Sequence, residues 1–204
     1  MVAKWSAGIT AVLANNGIID SNESEIYAYG FELMISTVLN ALVIAIIAIL
    51  TNTFLFSFAF VVCFGMIRIY AGGYHAGSHL RCFGLFCIMY AIILIAESTV
   101  PVQWTLFVGA GAVIPAVFVI WKLAPIEDEN RPLKERERAE FIRKVRIVVV
   151  WQAVVIMVLH LLMNALAVRW LGTLATGMSF GVLAAAISVA AGYIKNVGKE
   201  ERVC

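Results

Sequence analysis

The chain has 204 residues, of which 62% are hydrophobic and only 14% are charged. A soluble domain of this length needs a larger polar surface, so the composition predicts a membrane protein. The formal net charge of +2 is small and the basic residues are spread along the chain, which argues against a nucleic-acid partner.

Residues 1–20 predict an amphipathic helix. Trp5, Ile9, Val12 and Leu13 recur at helical spacing and form one apolar stripe. Two placements fit this stripe equally well: the helix lies along the membrane surface, or it is a short helix packed on the rest of the protein.

Six apolar segments follow, each close to the roughly 20 residues that a helix needs to cross the hydrocarbon core. The sequence therefore predicts one all-α integral membrane domain over 1–204, with a six-helix transmembrane region over 28–194 and a tail over 195–204. The second and third segments are the shortest, so in an alternative architecture one of them is re-entrant. The predicted spans are 28–50, 54–70, 83–100, 104–123, 147–167 and 171–194.

Lysine and arginine are distributed unevenly between the two ends of these spans. Fourteen of the fifteen lie on the side that holds the N-terminus, the 71–82 loop, the 122–146 loop and the C-terminal tail, and Arg169 lies alone on the other. The positive-inside rule predicts that both termini and the 71–82 loop are cytoplasmic. Arg143, Lys144 and Arg146 lie where anionic headgroups attract positive charge, so membrane lipid is an expected partner.

The loop "AGGYHAGSHLRC" at 71–82 contains the only cysteine in the chain with histidines nearby. A neighbouring imidazole activates a cysteine by accepting the thiol proton, so Cys82 is a candidate nucleophile. His79 would be its i, i+3 neighbour on one helical turn. On a continuous helix His75 would lie ~10 Å along the axis from Cys82, out of reach. Spacing alone leaves the choice between the two histidines even.

Three glycines in this loop, Gly72, Gly73 and Gly77, are the residues that would let the chain turn and bring His75 to Cys82. Two other interpretations stay open. His75, His79 and Cys82 have a spacing that a zinc site could use, although a fourth ligand is missing. Alternatively, the loop is only a glycine-rich turn whose histidines face headgroups.

The motif and its surroundings resemble a known family. Arg68, then "GGYHA" at 72–76, then Cys82 seven positions after His75, is similar to the signature of the AgrB (accessory gene regulator B) family of membrane-embedded cysteine endopeptidases. The resemblance extends along the chain to "YGFE" at 29–32 and "APIEDENRP" at 124–132.

The resemblance implies roles for individual residues. Cys82 corresponds to the nucleophile and His75 to its base, while Arg68 and Gly73 match positions needed for activity. No cofactor or metal is expected. His79 has no counterpart in the family and remains the alternative base.

The resemblance also implies a function, a substrate and a location. Family members cut the C-terminal tail from an AgrD-like precursor peptide through an acyl-enzyme thioester, and promote closure of a thiolactone or lactone ring that serves as an autoinducing peptide in quorum sensing. The expected location is the cell membrane of a Gram-positive bacterium, with the active site at the cytoplasmic face. Two alternatives from other classes are a peptide exporter that does not cut and a metal-binding membrane scaffold.

Glu32 and His160 are among the ionisable residues that lie within predicted spans, where charge is costly. Glu32, near the cytoplasmic end of the first span, is predicted to orient His75 or hold substrate; a snorkelling or capping carboxylate fits equally well. His160, deep in the fifth span, is expected to satisfy a local hydrogen bond.

A homodimer is predicted from small residues in the sixth span, which permit close helix contact. Packing within one chain would use the same face. These residues are Gly177, Gly181, Ala184 and Ala185.

Overall fold

The protein is described here by a computed structural model that covers residues 2–20, 23–74, 79–127 and 133–203. Within these ranges it forms seven α-helices and one 3-10 turn at Val102–Trp104. The helices are α1 Val2–Asn15, α2 Ser24–Leu50, α3 Phe54–Ala71, α4 His79–Thr99, α5 Thr105–Leu123, α6 Glu135–Leu166 and α7 Arg169–Val203.

Six of these helices, α2 to α7, are long and apolar enough to cross a membrane. The described ranges contain no strand, so the prediction of an all-α membrane protein with six spans is confirmed. The chain is therefore a multi-pass membrane protein. Because α3 and α4 are unbroken helices of 18 and 21 residues, neither supports the re-entrant alternative.

Two helices extend beyond the spans predicted for them. α6 begins at Glu135, well before the predicted start at 147, and its exposed first turns carry an i, i+4 pair in which Lys144 Nζ lies 2.7 Å from Glu140 Oε1. α7 continues to Val203, so the predicted tail is helical almost throughout. Hydropathy marks where a helix leaves the apolar layer, but backbone hydrogen bonding continues past that point.

The central helix of the bundle is α7, which packs against α3, α5 and α6. Its glycines bring it close to the α3 backbone: a Cβ on Gly177 would lie 2.4 Å from the Phe56 carbonyl oxygen, and one on Gly181 would lie 2.6 Å from that of Phe60. Ala185 on the same helix is fully buried. The small-residue face of α7 therefore packs against α3 within one chain. It no longer supports the homodimer, which stays a prediction.

The helices α2 and α4 lie outside this core, and most of their residues are not buried by the rest of the chain. On α2 an apolar row recurs every four residues, so it forms one helical face that a bilayer would cover. The row is Met34, Val38, Leu42 and Ile46, each 53–57% exposed.

The first helix, α1, packs against α2. Its fully buried side chains are Ser6 and Thr10, whereas Trp5, Ile9 and Val12 are 54%, 41% and 59% exposed and Leu13 is half-buried. Most of the apolar stripe of α1 is therefore left uncovered by the protein, which suits contact with a membrane surface. The placement of α1 along the membrane stays a prediction.

Candidate active site

The three residues Gly72–Tyr74 leave α3 in an extended path, and two of them have positive φ angles. Gly72 has φ 63° and Gly73 has φ 135°, which side chains of L-residues rarely adopt. Space is also restricted, because a Cβ on Gly72 would lie 2.2 Å from the Ile126 carbonyl oxygen and one on Gly73 would lie 2.8 Å from Ser188 Oγ. The exit from α3 thus requires glycine at 72 and 73, whereas the predicted turn of His75 toward Cys82 stays a prediction, because His75 and Gly77 lie outside the described residues.

Arg68, in the last turn of α3, holds this segment from one side. Its Nη1 donates a hydrogen bond to the Gly72 carbonyl oxygen at 2.5 Å, and its Nη2 donates to that of Tyr74 at 3.4 Å. A guanidinium suits this task because its donors form a planar fork that bridges two acceptors. A Cβ on Gly73 would collide with Arg68 Nη1, so glycine at 73 and arginine at 68 depend on each other.

The opposite side of the segment is held by α7 and by the chain that follows α5. The Tyr74 amide donates to the carbonyl oxygen of Ser188 at 2.8 Å. The Ile126 amide donates to the Ala71 carbonyl oxygen at 2.8 Å, and Gly72 forms an isolated parallel bridge with Ile126. We call the end of the bundle where Gly72–Tyr74, Ile126 and Ser188 meet the motif end.

The motif end also contains a close backbone contact with Gly192 of α7. A Cβ on Gly192 would lie 2.8 Å from the Gly73 carbonyl carbon and 2.9 Å from the Tyr74 nitrogen. Sequence reasoning missed Ser188 and Gly192. A glycine inside an otherwise apolar helix costs about 1 kcal/mol relative to alanine, and this was the one signal that could have indicated a close approach at 192.

Cys82 lies in the first turn of α4 and is half-buried. Its depth in the bundle follows from the aromatic pairs that join the antiparallel helices α3 and α4. The ring centroids of Phe60 and Tyr90 are 5.3 Å apart, and those of Phe64 and Phe86 are 5.0 Å apart. Each turn toward the motif end adds four to the α3 number and subtracts four from the α4 number. Continued by one turn, this spacing would pair Arg68 with Cys82, which predicts that the two lie at a similar level.

The two candidate bases are less fully described. His75 lies outside the described residues. His79 is the first residue of α4, in the same turn as Cys82, but its side chain also lies outside the described part. The choice between His75 and His79 therefore remains a prediction, as does the zinc interpretation that uses both.

The two ionisable residues singled out within the predicted spans, Glu32 and His160, are both covered by the structure. Glu32 lies in α2, partly buried, and its role at the site stays a prediction. His160 on α6 is 1% exposed, and neither ring nitrogen has a hydrogen-bond partner within the described residues. The expected local hydrogen bond of His160 is therefore wrong. Its ring lies instead against Gly109 of α5, where an added Cβ would come 2.4 Å from Nε2.

Comparison with known proteins identifies the family. The model of the accessory gene regulator B (AgrB) family matches residues 6–189. The chain belongs to the AgrB family. The matched region includes Arg68, Gly73, Cys82 and Ser188 and ends just before Gly192.

Two curated AgrB-like proteins of Clostridium perfringens are similar to this chain. One, from strain SM101, is 24% identical over 149 residues, which cover 71% of this chain and 70% of the relative. The other, AgrB-like protein 2 of strain 13, is 25% identical over 130 residues, or 61% of each chain. No solved structure matches this chain.

Proposed function

We propose that this protein is a membrane cysteine endopeptidase that cleaves an AgrD-like precursor peptide and promotes its macrocyclisation into an autoinducing peptide for quorum sensing. Cys82 is the nucleophile and His75 the base. The proposed substrate has an amphipathic leader, a short core with a cysteine or serine, and an acidic C-terminal tail. The proposal rests on membership of the AgrB family and on the arrangement at the motif end.

The observation that carries the proposal is the hold of Arg68 on the segment that leads to His75. Arg68 donates to the carbonyl of Tyr74, which is covalently joined to His75. The α3 and α4 aromatic pairs support the proposal, because their register, continued by one turn, would bring Cys82 to the depth of that arginine. A thiol and the segment leading to an imidazole would then come to one region from separate elements, as a cysteine–histidine pair requires.

The proposed reaction has two acyl transfers. The Cys82 thiolate attacks the carbonyl carbon that joins the core to the tail, forming a C–S bond. The C–N bond then breaks, and the tail leaves as an amine that takes its proton from the His75 imidazolium. The thiol or hydroxyl of the core then gives its proton to the neutral His75 and attacks the thioester carbonyl carbon; the new C–S or C–O bond closes the ring, the bond to Cys82 breaks, and Cys82 leaves as a thiolate beside the His75 imidazolium. Exchange between a thioester and a second thiol is nearly balanced, so the acyl group is kept for ring closure.

The distribution of charge supports a cytoplasmic site. Basic residues gather at the motif end, which the positive-inside rule assigns to the cytoplasm. Lys134, Arg136 and Arg138 are exposed there and suit the acidic tail of a precursor. Arg138 Nε lies 3.6 Å from Glu127 Oε1, and a pair this exposed is weak enough to exchange for a substrate carboxylate.

The test is co-expression of the protein with its precursor and measurement of tail release by mass spectrometry. We expect release with the wild type and with Cys87→Ala, a matched control one helical turn and a half further along α4. We expect none with Cys82→Ala or His75→Ala, and near wild-type release with His79→Ala. Release that survives Cys82→Ala would contradict the peptidase. Loss with His79→Ala and not with His75→Ala would reassign the base, and loss on chelation alone would favour the metal interpretation.

A further inference from the structure

The segment that leads to His75 is held by a single face of α7. The residues of that face, Ser188, Gly192, Lys195 and Asn196, follow one another at helical spacing. Lys195 Nζ lies 5.6 Å from the ring centroid of Tyr74, and Asn196 Nδ2 donates to the Glu127 carbonyl oxygen at 3.3 Å. One helical face therefore contacts both chains that meet at the motif end.

Gly192 makes the closest of these contacts. Its backbone lies against the peptide bond between Gly73 and Tyr74, where a methyl group would come within 2.8 Å of the Gly73 carbonyl carbon and 2.9 Å of the Tyr74 nitrogen. Both opposing atoms belong to the backbone, so they cannot move aside as the end of a flexible side chain would. Any side chain at 192 displaces the segment or α7.

Ser188 adds a directional contact to this close approach. Its carbonyl oxygen lies inside a helix yet accepts the Tyr74 amide at 2.8 Å, which is possible because a carbonyl oxygen has two lone pairs. The hydrogen bond fixes the orientation of the Tyr74 peptide plane. Consecutive Cα atoms are about 3.8 Å apart, so a fixed Tyr74 confines the backbone position of His75.

We propose that Gly192 and the Ser188 carbonyl of α7 are positioning residues for the cysteine–histidine pair: they fix Gly73 and Tyr74 and thereby limit where His75, which is joined to Tyr74, can lie relative to Cys82. This inference rests on the proposed peptidase function. It assigns to α7 a role in positioning the reacting groups, although α7 has no catalytic motif in its sequence.

The test compares Gly192→Ala with Gly198→Ala. Both glycines lie in α7, but an added Cβ at 198 meets nothing within 4 Å among the described residues. For Gly192→Ala we expect the kcat for tail release to fall on the order of 10²-fold, the loss that a misplacement of about 1 Å causes, with KM within about twofold of wild type. For Gly198→Ala we expect both constants to be unchanged.

Two further measurements separate positioning from a loss of fold. The first is the pH profile of alkylation of Cys82 by iodoacetamide, measured in a background in which Cys82 is the only cysteine. We expect Gly192→Ala to shift this profile toward that of His75→Ala. We expect Gly198→Ala to leave the profile unchanged. The second is hydrogen exchange of the peptide that contains Tyr74, which should lose protection in Gly192→Ala alone. If Gly192→Ala is not recovered in the membrane, Tyr74→Pro, which removes the amide hydrogen donated to Ser188, is tested by kcat and by the alkylation profile, with the same expected results for both.

The outcomes distinguish this inference from the function on which it rests. If wild type releases tail and Gly192→Ala matches Gly198→Ala in kcat and alkylation profile, the positioning role is wrong and the peptidase stands. A fall in kcat with an unchanged alkylation profile would also contradict it, because the pair would then be intact. If wild type releases no tail, or Cys82→Ala still does, the peptidase itself is wrong.

Discussion

The guanidinium of Arg68 donates a hydrogen bond to the carbonyl oxygen of Gly72, four residues further along the chain, and so ties the end of α3 to the segment that leaves it. Lysine at 68 keeps the charge but has no planar fork with which to bridge Gly72 and Tyr74. We expect Arg68→Lys to lower tail release roughly tenfold, in line with the loss of one hydrogen bond to a charged group. Initial rates at saturating precursor measure this.

The matched control is Arg143→Lys, the same change at an exposed position on α6. It should leave the rate unchanged. Equal rates for Arg68→Lys and wild type would mean that the positive charge alone, and not the bridging of two carbonyls, accounts for the need for arginine.

Gly109 and Gly111 on α5 are two glycines in very different surroundings. A methyl group at 109 would come 2.4 Å from His160 Nε2, whereas one at 111 meets nothing within 4 Å among the described residues. We expect Gly109→Ala to destabilise the protein by about 1–3 kcal/mol, the usual cost of overpacking. Gly111→Ala should be neutral or slightly stabilising, since alanine is the better helix former.

Thermal unfolding in detergent, followed by circular dichroism, measures the difference between the two glycine variants. The double variant Gly109→Ala/His160→Ala should recover part of the lost stability, because it removes the ring that the methyl group meets. Identical midpoints for Gly109→Ala and Gly111→Ala would contradict the close packing of α5 on α6.

Ser57 of α3 and Tyr90 of α4 share a buried hydrogen bond between their hydroxyl groups. The Ser57 hydroxyl also donates to the Thr53 carbonyl oxygen at 2.8 Å, so its single hydrogen is used and Tyr90 is the donor of the shared bond. Tyr90→Phe removes that donor and leaves Ser57 satisfied. We expect a loss of stability of about 0.5–1.5 kcal/mol with normal tail release per folded molecule. Unchanged stability would show that α4 is held by its aromatic rings alone.

The exposed apolar stripe of α1 predicts contact with lipid. Val12 and Ala7 are both exposed but point about 140° apart around the helix. A spin label attached to cysteine at 12, with the native cysteines replaced, should be relaxed mainly by oxygen dissolved in the bilayer. The same label at 7 should be relaxed mainly by a water-soluble nickel complex. Equal access of the nickel complex to both positions would exclude a membrane-surface helix.

Periodicity and hydropathy predicted the spans closely where a polar turn follows the apolar run. The predicted 54–70 is Phe54–Ala71 in the structure, and 104–123 is Thr105–Leu123. The start of α6 at Glu135 was missed, because polarity reports where a helix leaves the lipid and not where its hydrogen bonds stop. The buried side of α1 was also not predictable, because its fully buried residues are Ser6 and Thr10, whereas most of the apolar stripe is exposed.

The candidate site was only partly visible in the sequence. The loop itself indicated Cys82 and its glycines, because a thiol near two histidines is a possible nucleophile, whereas Arg68 and the role of Gly73 were indicated by the resemblance to the AgrB family. Ser188 contacts the segment through its backbone carbonyl, and Gly192 through its lack of a side chain. Residue type does not reveal such contacts in a helix that is rich in small residues.

The proposed nucleophile and the segment that leads to its proposed base are carried by helices that the rest of the chain encloses to different degrees. The segment is fixed to α7, the most enclosed helix, whereas Cys82 is carried by α4, most of whose surface is left to the bilayer. A tilt of α4 about the contact of Phe86 with Phe64 would move the sulfur while the Tyr74 peptide stays in place. We therefore expect the reaction rate to respond to bilayer thickness and lateral pressure, which act on outlying helices before they reach the core.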